Sequence, residues 1–201
     1  MPRTHGGNLR ALSQASGLPE SRLIDASANL NPLGPPPWLD AAFLKGRLAS
    51  GAYPSPGGLS ARQAAATALG LPPERVVFGN GADDLAFALA RVLGGREHIV
   101  AEPAYSSYRD AVGAAGGRAV GARGFDGAKA ALADRADAVV WLGAPNNPDG
   151  TLPEGYPDSV ADLAAAYPAA AFVVDESFID FADGVDPAHS LSALSALDNV
   201  T

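Results

Sequence analysis

The 201 residues carry 14 basic and 22 acidic side chains, a formal net charge of −8, which excludes a basic nucleic-acid surface. Cysteine is absent, so disulfides and thiolate metal centres are excluded. No apolar run reaches the roughly 20 residues of a membrane span, and the MPRTHGGN start lacks the apolar core of a signal peptide. The length fits one domain or one and a fraction, and the expectation is a soluble cytoplasmic protein with no nucleic-acid and no membrane partner.

Taken in order, residues 1–7 read as an extended arm ending in His5-Gly6-Gly7. Asn8 is placed to cap a short helix, Leu9 to Ser16, that stops at Gly17. Leu23 to Ala28 reads as a short strand, followed by a rigid loop, NLNPLGPPP, from Asn29 to Pro37. An early helix carries Lys45. Tyr53-Pro54-Ser55-Pro56-Gly57-Gly58 reads as a proline turn with a packing tyrosine. A helix from Leu59 to Leu69 closes at Gly70. Val76-Val77-Phe78 reads as a short buried strand running into Gly79-Asn80-Gly81-Ala82-Asp83-Asp84 and a helix to Leu93. A strand, a glycine turn and a helix start form an anion cradle, because the first-turn amides and the helix dipole face outward. His98 to Ala101 is the next strand, then a helix from Ser106 to Ala115, a weak strand near Arg118 to Ala122, and a helix from Ala128 to Asp134.

The chain is organised around Leu142 to Asp180. An apolar strand from Ala138 breaks at Gly143 into the turn Pro145-Asn146-Asn147-Pro148-Asp149-Gly150. After an alanine-rich helix, a second apolar strand, Ala171 to Val174, ends on Asp175. This is a β-turn-α-β unit, and open α/β sheets bind ligands at the carboxyl ends of their strands. Prolines flank the asparagine pair, which stiffens the backbone and aims the Asn147 amide. A carboxylate after four apolar residues is costly unless paired, so Asp175 is expected to face a cation. Each residue alone fits a local role equally well, Asn147 as a turn cap and Asp175 as a helix cap. No EF-hand spacing or histidine accompanies the acids of this region, so no metal site is expected.

The ordered pair NNPDG and DESF resembles the pyridoxal-phosphate enzymes of the class I/II aminotransferase family. HGGN followed by D-x-SANLNPLGPP is similar to the L-threonine-O-3-phosphate decarboxylases of cobalamin biosynthesis, relatives of the histidinol-phosphate aminotransferases. The resemblance covers essentially the whole sequence. It implies an α/β fold with a mostly parallel sheet flanked by helices, the large domain of the pyridoxal-phosphate-dependent transferase fold type I. Residues 1–50 would be an N-terminal arm and active-site loop, and residues 51–201 a partial cofactor-binding domain, truncated before the small C-terminal domain. It also implies a homodimer, a small phosphorylated amino-acid substrate, and pyridoxal 5′-phosphate as cofactor.

By resemblance, Asn147 hydrogen-bonds the cofactor's phenolic oxygen and Asp175 pairs with its ring nitrogen. Gly81, Ala82 and Asp83 hold its phosphate through backbone amides, although the Asp83 charge opposes an anion unless its side chain turns away or caps the helix. Tyr105 stacks on the ring, with Tyr108 left to the core. Tyr53 reaches the cofactor phosphate of the neighbouring subunit, and His5, Gly6 and Asn31 are substrate contacts. Phe178 stands where aminotransferase relatives often carry a tyrosine, which favours the decarboxylases. The family also needs a lysine that anchors the cofactor covalently. The two lysines here, Lys45 and Lys129, both lie outside the expected S-x-x-K context, which should follow a strand beginning near Asp198. The expected activity is decarboxylation of L-threonine O-3-phosphate, with histidinol-phosphate-type transamination and a non-catalytic fragment as alternatives.

Overall fold

The computed structural model describes residues 7–31 and 33–201, and the chain divides into two compact units, Met1–Pro54 and Ser55–Thr201. In the first unit, helix α1 spans Leu9–Ser16. The Asn8 side chain accepts from the Ala11 amide at 2.9 Å, and Gly17 ends the helix in the left-handed conformation (φ 71°) that glycine adopts without strain. Helix α2 spans Leu39–Ala49 and leaves Phe43, Leu44 and Leu48 exposed. The expected strand at Leu23–Ala28 does not form. Leu23 is extended, but Asp25 Oδ1 accepts from both the Ser27 amide (2.8 Å) and the Ser27 hydroxyl (2.5 Å), bending the segment before a ladder can start. Ile24 is left almost wholly exposed.

The second unit is an open parallel sheet between two helical layers. Helix α3 (Leu59–Leu69) and helix α4 (Gly81–Val92) precede strand β1 (His98–Glu102). Helix α5 (Ser106–Ala114), strand β2 (Ala119–Arg123), helix α6 (Gly124–Ala133), strand β3 (Val139–Gly143), helix α7 (Asp158–Ala166), strand β4 (Ala171–Asp175) and helix α8 (Pro187–Ser195) follow. The strand order is β2-β1-β3-β4, all parallel. The order reverses between β1 and β3, and this switch point is where doubly wound sheets open a crevice. Beyond β4, Val200 bridges Phe172 in parallel; the Phe172 amide donates to Asn199 O and the Thr201 amide to Phe172 O, both at 2.8 Å.

Alternation along the strands sorts the two layers. Ile99, Val140, Leu142 and Phe172 pack with α6, α7 and α8 residues such as Leu132, Val160 and Leu194. Val100, Val139, Trp141 and Val173 pack with α4 and α5 residues such as Ala90, Tyr108 and Val112. The same parity carries Asp175 to the α4/α5 side. Glu176, one residue on, turns the other way and accepts from the Tyr156 and Ser190 hydroxyls. These bonds tie the end of β4 to Tyr156 and to α8, 20 and 14 residues away in the sequence. The expected strand at Val76–Phe78 is another departure. The segment has no ladder partner among the described residues; Val76 is buried, but Val77 and Phe78 are exposed.

Behind the central strands, Trp141 Nε1 donates to Nδ1 of the fully buried His98 at 3.0 Å. The ring must therefore be neutral, with its proton on Nε2, which has no partner. Burial first, then the Arg96 charge, lowers the His98 pKa from its usual 6.5. A histidine whose folded pKa is lowered takes up protons more readily when unfolded. Stability is thus complete above about 6.5 and falls as pH drops from there toward the lowered folded value. Urea unfolding is expected to give a lower stability at pH 5 than at pH 7.5, a difference that shrinks in His98→Leu.

Candidate functional site

Helix α4 begins where Gly81, at φ 81°, turns the chain in a conformation that a Cβ disfavours. The cap comes from Asp84, whose Oδ2 accepts from the Asn80 amide at 2.9 Å. That satisfies one donor outside the helix and leaves the first-turn amides of Gly81, Ala82 and Asp83 without intrahelical acceptors. Asp83 itself is exposed. At the preceding Gly79, a Cβ would stand 2.8 Å from Leu85 Cδ2, so glycine lets the incoming chain lie against the helix.

At the end of β4, Asp175 is half-buried, and both oxygens of its carboxylate accept from neutral donors. Oδ2 accepts from the Tyr108 hydroxyl at 2.7 Å. Oδ1 accepts from the Ser177 amide at 3.0 Å and the Ser177 hydroxyl at 2.5 Å. Neutral donors of this chain thus share in satisfying the acid that the sequence led us to expect opposite a cation. The sequence reading put Tyr108 in the core and missed its second role, although its place three residues after Tyr105, one turn along a helix, puts it on the face toward the sheet. Tyr108 is buried, stacks on Trp141 (ring centroids 5.8 Å, 29°), and meets Tyr105 edge-on at 5.9 Å. Burial, then the Asp175 charge, raises its pKa far above the usual phenol range, so it stays a proton donor.

The helix start and the strand end share one cleft. A cavity of about 380 Å³ is lined by Gly81, Ala82 and Leu85 of α4, by Tyr108 and Trp141, and by Val173 to Ser177 at the end of β4. It combines outward-facing amides, an apolar and aromatic wall, and two acidic residues, Asp175 and Glu176, the latter with its carboxylate held by the Tyr156 and Ser190 hydroxyls. Asp83, Tyr105 and Asn147 are not among its lining residues.

Asn147 lies at the switch point, in a turn built by its neighbour. Asn146 Nδ2 donates to Pro103 O at 2.8 Å, joining the loops after β1 and β3, and to Asp149 Oδ1 at 2.7 Å. Its backbone closes the turn with Gly150 N (2.7 Å) and Thr151 O (2.8 Å). Asn147 is half-buried, and no partner for its side-chain amide is found among the described residues. Gly143 permits this packing: a Cβ there would stand 3.0 Å from Asn146 Cα, a backbone atom that cannot swing aside. Gly143→Ala is expected to cost about 1–3 kcal/mol in urea unfolding, through displacement of the turn. By contrast, a Cβ at Gly121 would meet the mobile ends of the Glu102–Arg109 ion pair at 2.3 and 2.6 Å, contacts that side-chain rotation relieves.

In the first unit, Asn31 Oδ1 accepts from the Leu33 amide at 2.9 Å, and Tyr53 is fully exposed. His5 and Gly6 lie outside the described residues. Lys45 lies on α2. Lys129 is exposed on α6, in the layer opposite the one that Asp175 faces. Among the described residues no cluster of metal-binding side chains occurs, and no helix is long and apolar enough to cross a membrane.

Residues 21–201 match the model of the aminotransferase class I and II family, and the chain belongs to that family. It is 37% identical to a histidinol-phosphate aminotransferase of Sphingopyxis alaskensis, over 84% of this chain and 48% of that protein. It is 31% identical to a threonine-phosphate decarboxylase of Salmonella typhimurium, over 88% of this chain and 50% of the relative. The structure of a Sinorhizobium meliloti histidinol-phosphate aminotransferase in complex with pyridoxal-5′-phosphate superposes with a TM-score of 0.79 at 26% identity. That match covers 100% of this chain and 55% of the other. The chain spans about half the length of these relatives. It covers 22% of a longer one, the adenosylcobalamin biosynthesis bifunctional protein CobDQ of Leptospira interrogans, at 32% identity.

Proposed function

We propose that the chain binds pyridoxal 5′-phosphate in the cleft between α4 and the end of β4, as the cofactor-holding part of a homodimeric decarboxylase of L-threonine O-3-phosphate. The observation that carries this reading is the set of polar groups in one cleft: free helix-start amides on one side and the Asp175 carboxylate on the other. Amides at a helix start suit a phosphate dianion, and a carboxylate suits a protonated ring nitrogen.

When bound, the cofactor supplies an electron sink for the pair released as a bond to the substrate's α-carbon breaks. The chain's residues hold it in that state. Asp175 keeps the proton on the ring nitrogen. The amides of Gly81, Ala82 and Asp83 bind the phosphate, the apolar wall at Val173 and Trp141 excludes water, and Tyr105 stacks on the ring. Asn147 donates to the phenolic oxygen. Tyr53 reaches the cofactor of the neighbouring subunit. His5, Gly6 and Asn31 bind the substrate phosphate, whose chemistry suits glycine amides and an imidazolium.

Decarboxylation is favoured by the HGGN and SANLNPLG segments and by Phe178, half-buried just after Asp175 and offering no hydroxyl to the phenolic oxygen. Histidinol-phosphate-type transamination is the second reading, supported by the 37% identity to an aminotransferase of that kind. Assays of the longest natural protein that carries this sequence decide between them. Release of carbon dioxide from L-threonine O-3-phosphate is expected; amino transfer from histidinol phosphate without carbon dioxide release selects the second reading.

Neither lysine is assigned to anchor the cofactor. Borohydride reduction of residues 1–201 mixed with pyridoxal phosphate is expected to leave Lys45 and Lys129 unmodified by mass spectrometry. A stoichiometric adduct at either would overturn that assignment.

A further inference from the structure

The carboxylate of Asp175 has roughly four lone-pair positions, and three are filled by this chain's own donors. Ser177 uses both positions on Oδ1 through its amide and hydroxyl. Tyr108 uses one on Oδ2. One position is left, on Oδ2, beside the phenol.

The phenol is in turn held from behind. Its ring stacks on Trp141, which is wholly buried, and the indole N–H is fixed on His98 Nδ1 at 3.0 Å. This column, His98–Trp141–Tyr108, runs from the interior of the sheet to the cleft. It carries no net charge, because His98 accepts from the indole and the phenol stays protonated.

We propose that Tyr108 is a positioning residue that acts through Asp175: it fixes the carboxylate and leaves a single acceptor position, on Oδ2, for the N–H of a cationic aromatic ring in the cleft. The inference rests on the cofactor reading above and adds to it which oxygen is used and what tunes it. A donor on Oδ2 stabilises the ionised carboxylate and makes it a weaker rival for the shared proton. The proton therefore stays on the ring nitrogen. Without the phenol, the same oxygen is half-desolvated and more basic, and it draws the proton toward itself.

The test uses residues 1–201 with pyridoxal phosphate labelled with ¹⁵N in the ring. In the wild-type chain the bound nitrogen is expected at the chemical shift of a protonated pyridine between pH 6 and 8. In Tyr108→Phe it is expected to move toward the unprotonated value, and in Asp175→Asn to reach it. A Tyr108→Phe protein with a wild-type nitrogen shift, alongside a displaced shift in Asp175→Asn, overturns the role of Tyr108 and leaves the cofactor reading standing. No binding by the wild-type chain, or no effect of Asp175→Asn, overturns the cofactor reading and this inference with it.

A second measurement needs no variant. The Tyr108 hydroxyl proton, buried and bonded to a carboxylate, is expected as a slowly exchanging downfield resonance of the ligand-free chain that shifts when pyridoxal phosphate is added. Absence of that resonance, or its indifference to the cofactor, contradicts the proposal even if Tyr108→Phe fails to fold.

Discussion

Trp141→Ala is expected to lower the stability of the Ser55–Thr201 unit by about 4–6 kcal/mol, which is close to the whole margin of an ordinary domain. The indole is fully buried on β3, between β1 and β4 in the sheet, so truncation opens a large cavity where no loop can collapse into it. It also strips His98 Nδ1 of its donor, leaving both imidazole nitrogens buried and unpaired, and it removes the ring on which Tyr108 stacks. Trp141→Phe separates these losses. It keeps most of the volume and the stack but not the hydrogen bond, and is expected to cost about 1–3 kcal/mol. Urea unfolding of the two variants checks both values. A loss under 2 kcal/mol for Trp141→Ala would mean that the α4/α5 layer packs on the sheet without this side chain.

Asp175→Asn is expected to weaken pyridoxal phosphate binding by about 2–3 kcal/mol, roughly 30- to 150-fold, with little loss of fold stability. The amide keeps one oxygen for the local donors, but it has no charge to pair with a ring cation. Its oxygen can stay on the Ser177 amide while its NH₂ turns to the Tyr108 hydroxyl, which can accept as well as donate. The comparison that isolates the charge is a cofactor titration of Asp175→Asn against Asp175→Glu. The glutamate variant keeps the charge but misplaces it by one methylene, and is expected to fall between wild type and asparagine.

Much of this fold is legible in the sequence because local signals agree with tertiary demand. Asn8 and Gly17 bracket α1, Gly70 closes α3, and the apolar runs at Val139 and Ala171 need no partner to be recognised as buried strands. The failures have a common cause. Leu23–Ala28 and Val76–Phe78 have strand-like composition, but a strand exists only where a neighbour offers its backbone, and among the described residues neither segment has one. Helix α8 went unforeseen although Asp186 caps it and Pro187 starts it, since a short helix with few apolar residues shows little periodicity.

The site divides along the same line. Gly81, Ala82 and Asp175 could be placed at a helix start and a strand end from spacing alone, and they meet in one cleft. The donors that satisfy Asp175 could not be placed so readily. Tyr108 is 67 residues away, and the contact depends on α4 and α5 folding over the face that odd-numbered β4 residues share. In the turn after β3, the sequence drew notice to Asn147, while the side chain that binds the two loops together is that of Asn146. Adjacent identical residues point in different directions, and only the loop after β1, 43 positions earlier, distinguishes them.

The reading depends most on whether one small anion with a cationic ring spans the start of α4 and the tip of β4. Backbone amide NMR of the chain during a pyridoxal phosphate titration tests this directly. The expected result is saturable shifts at Gly81, Ala82 and Asp83 together with Ser177, the phosphate shifting the first three and the ring nitrogen the last. Shifts confined to other residues, or inorganic phosphate reproducing the whole pattern including Ser177, would contradict it.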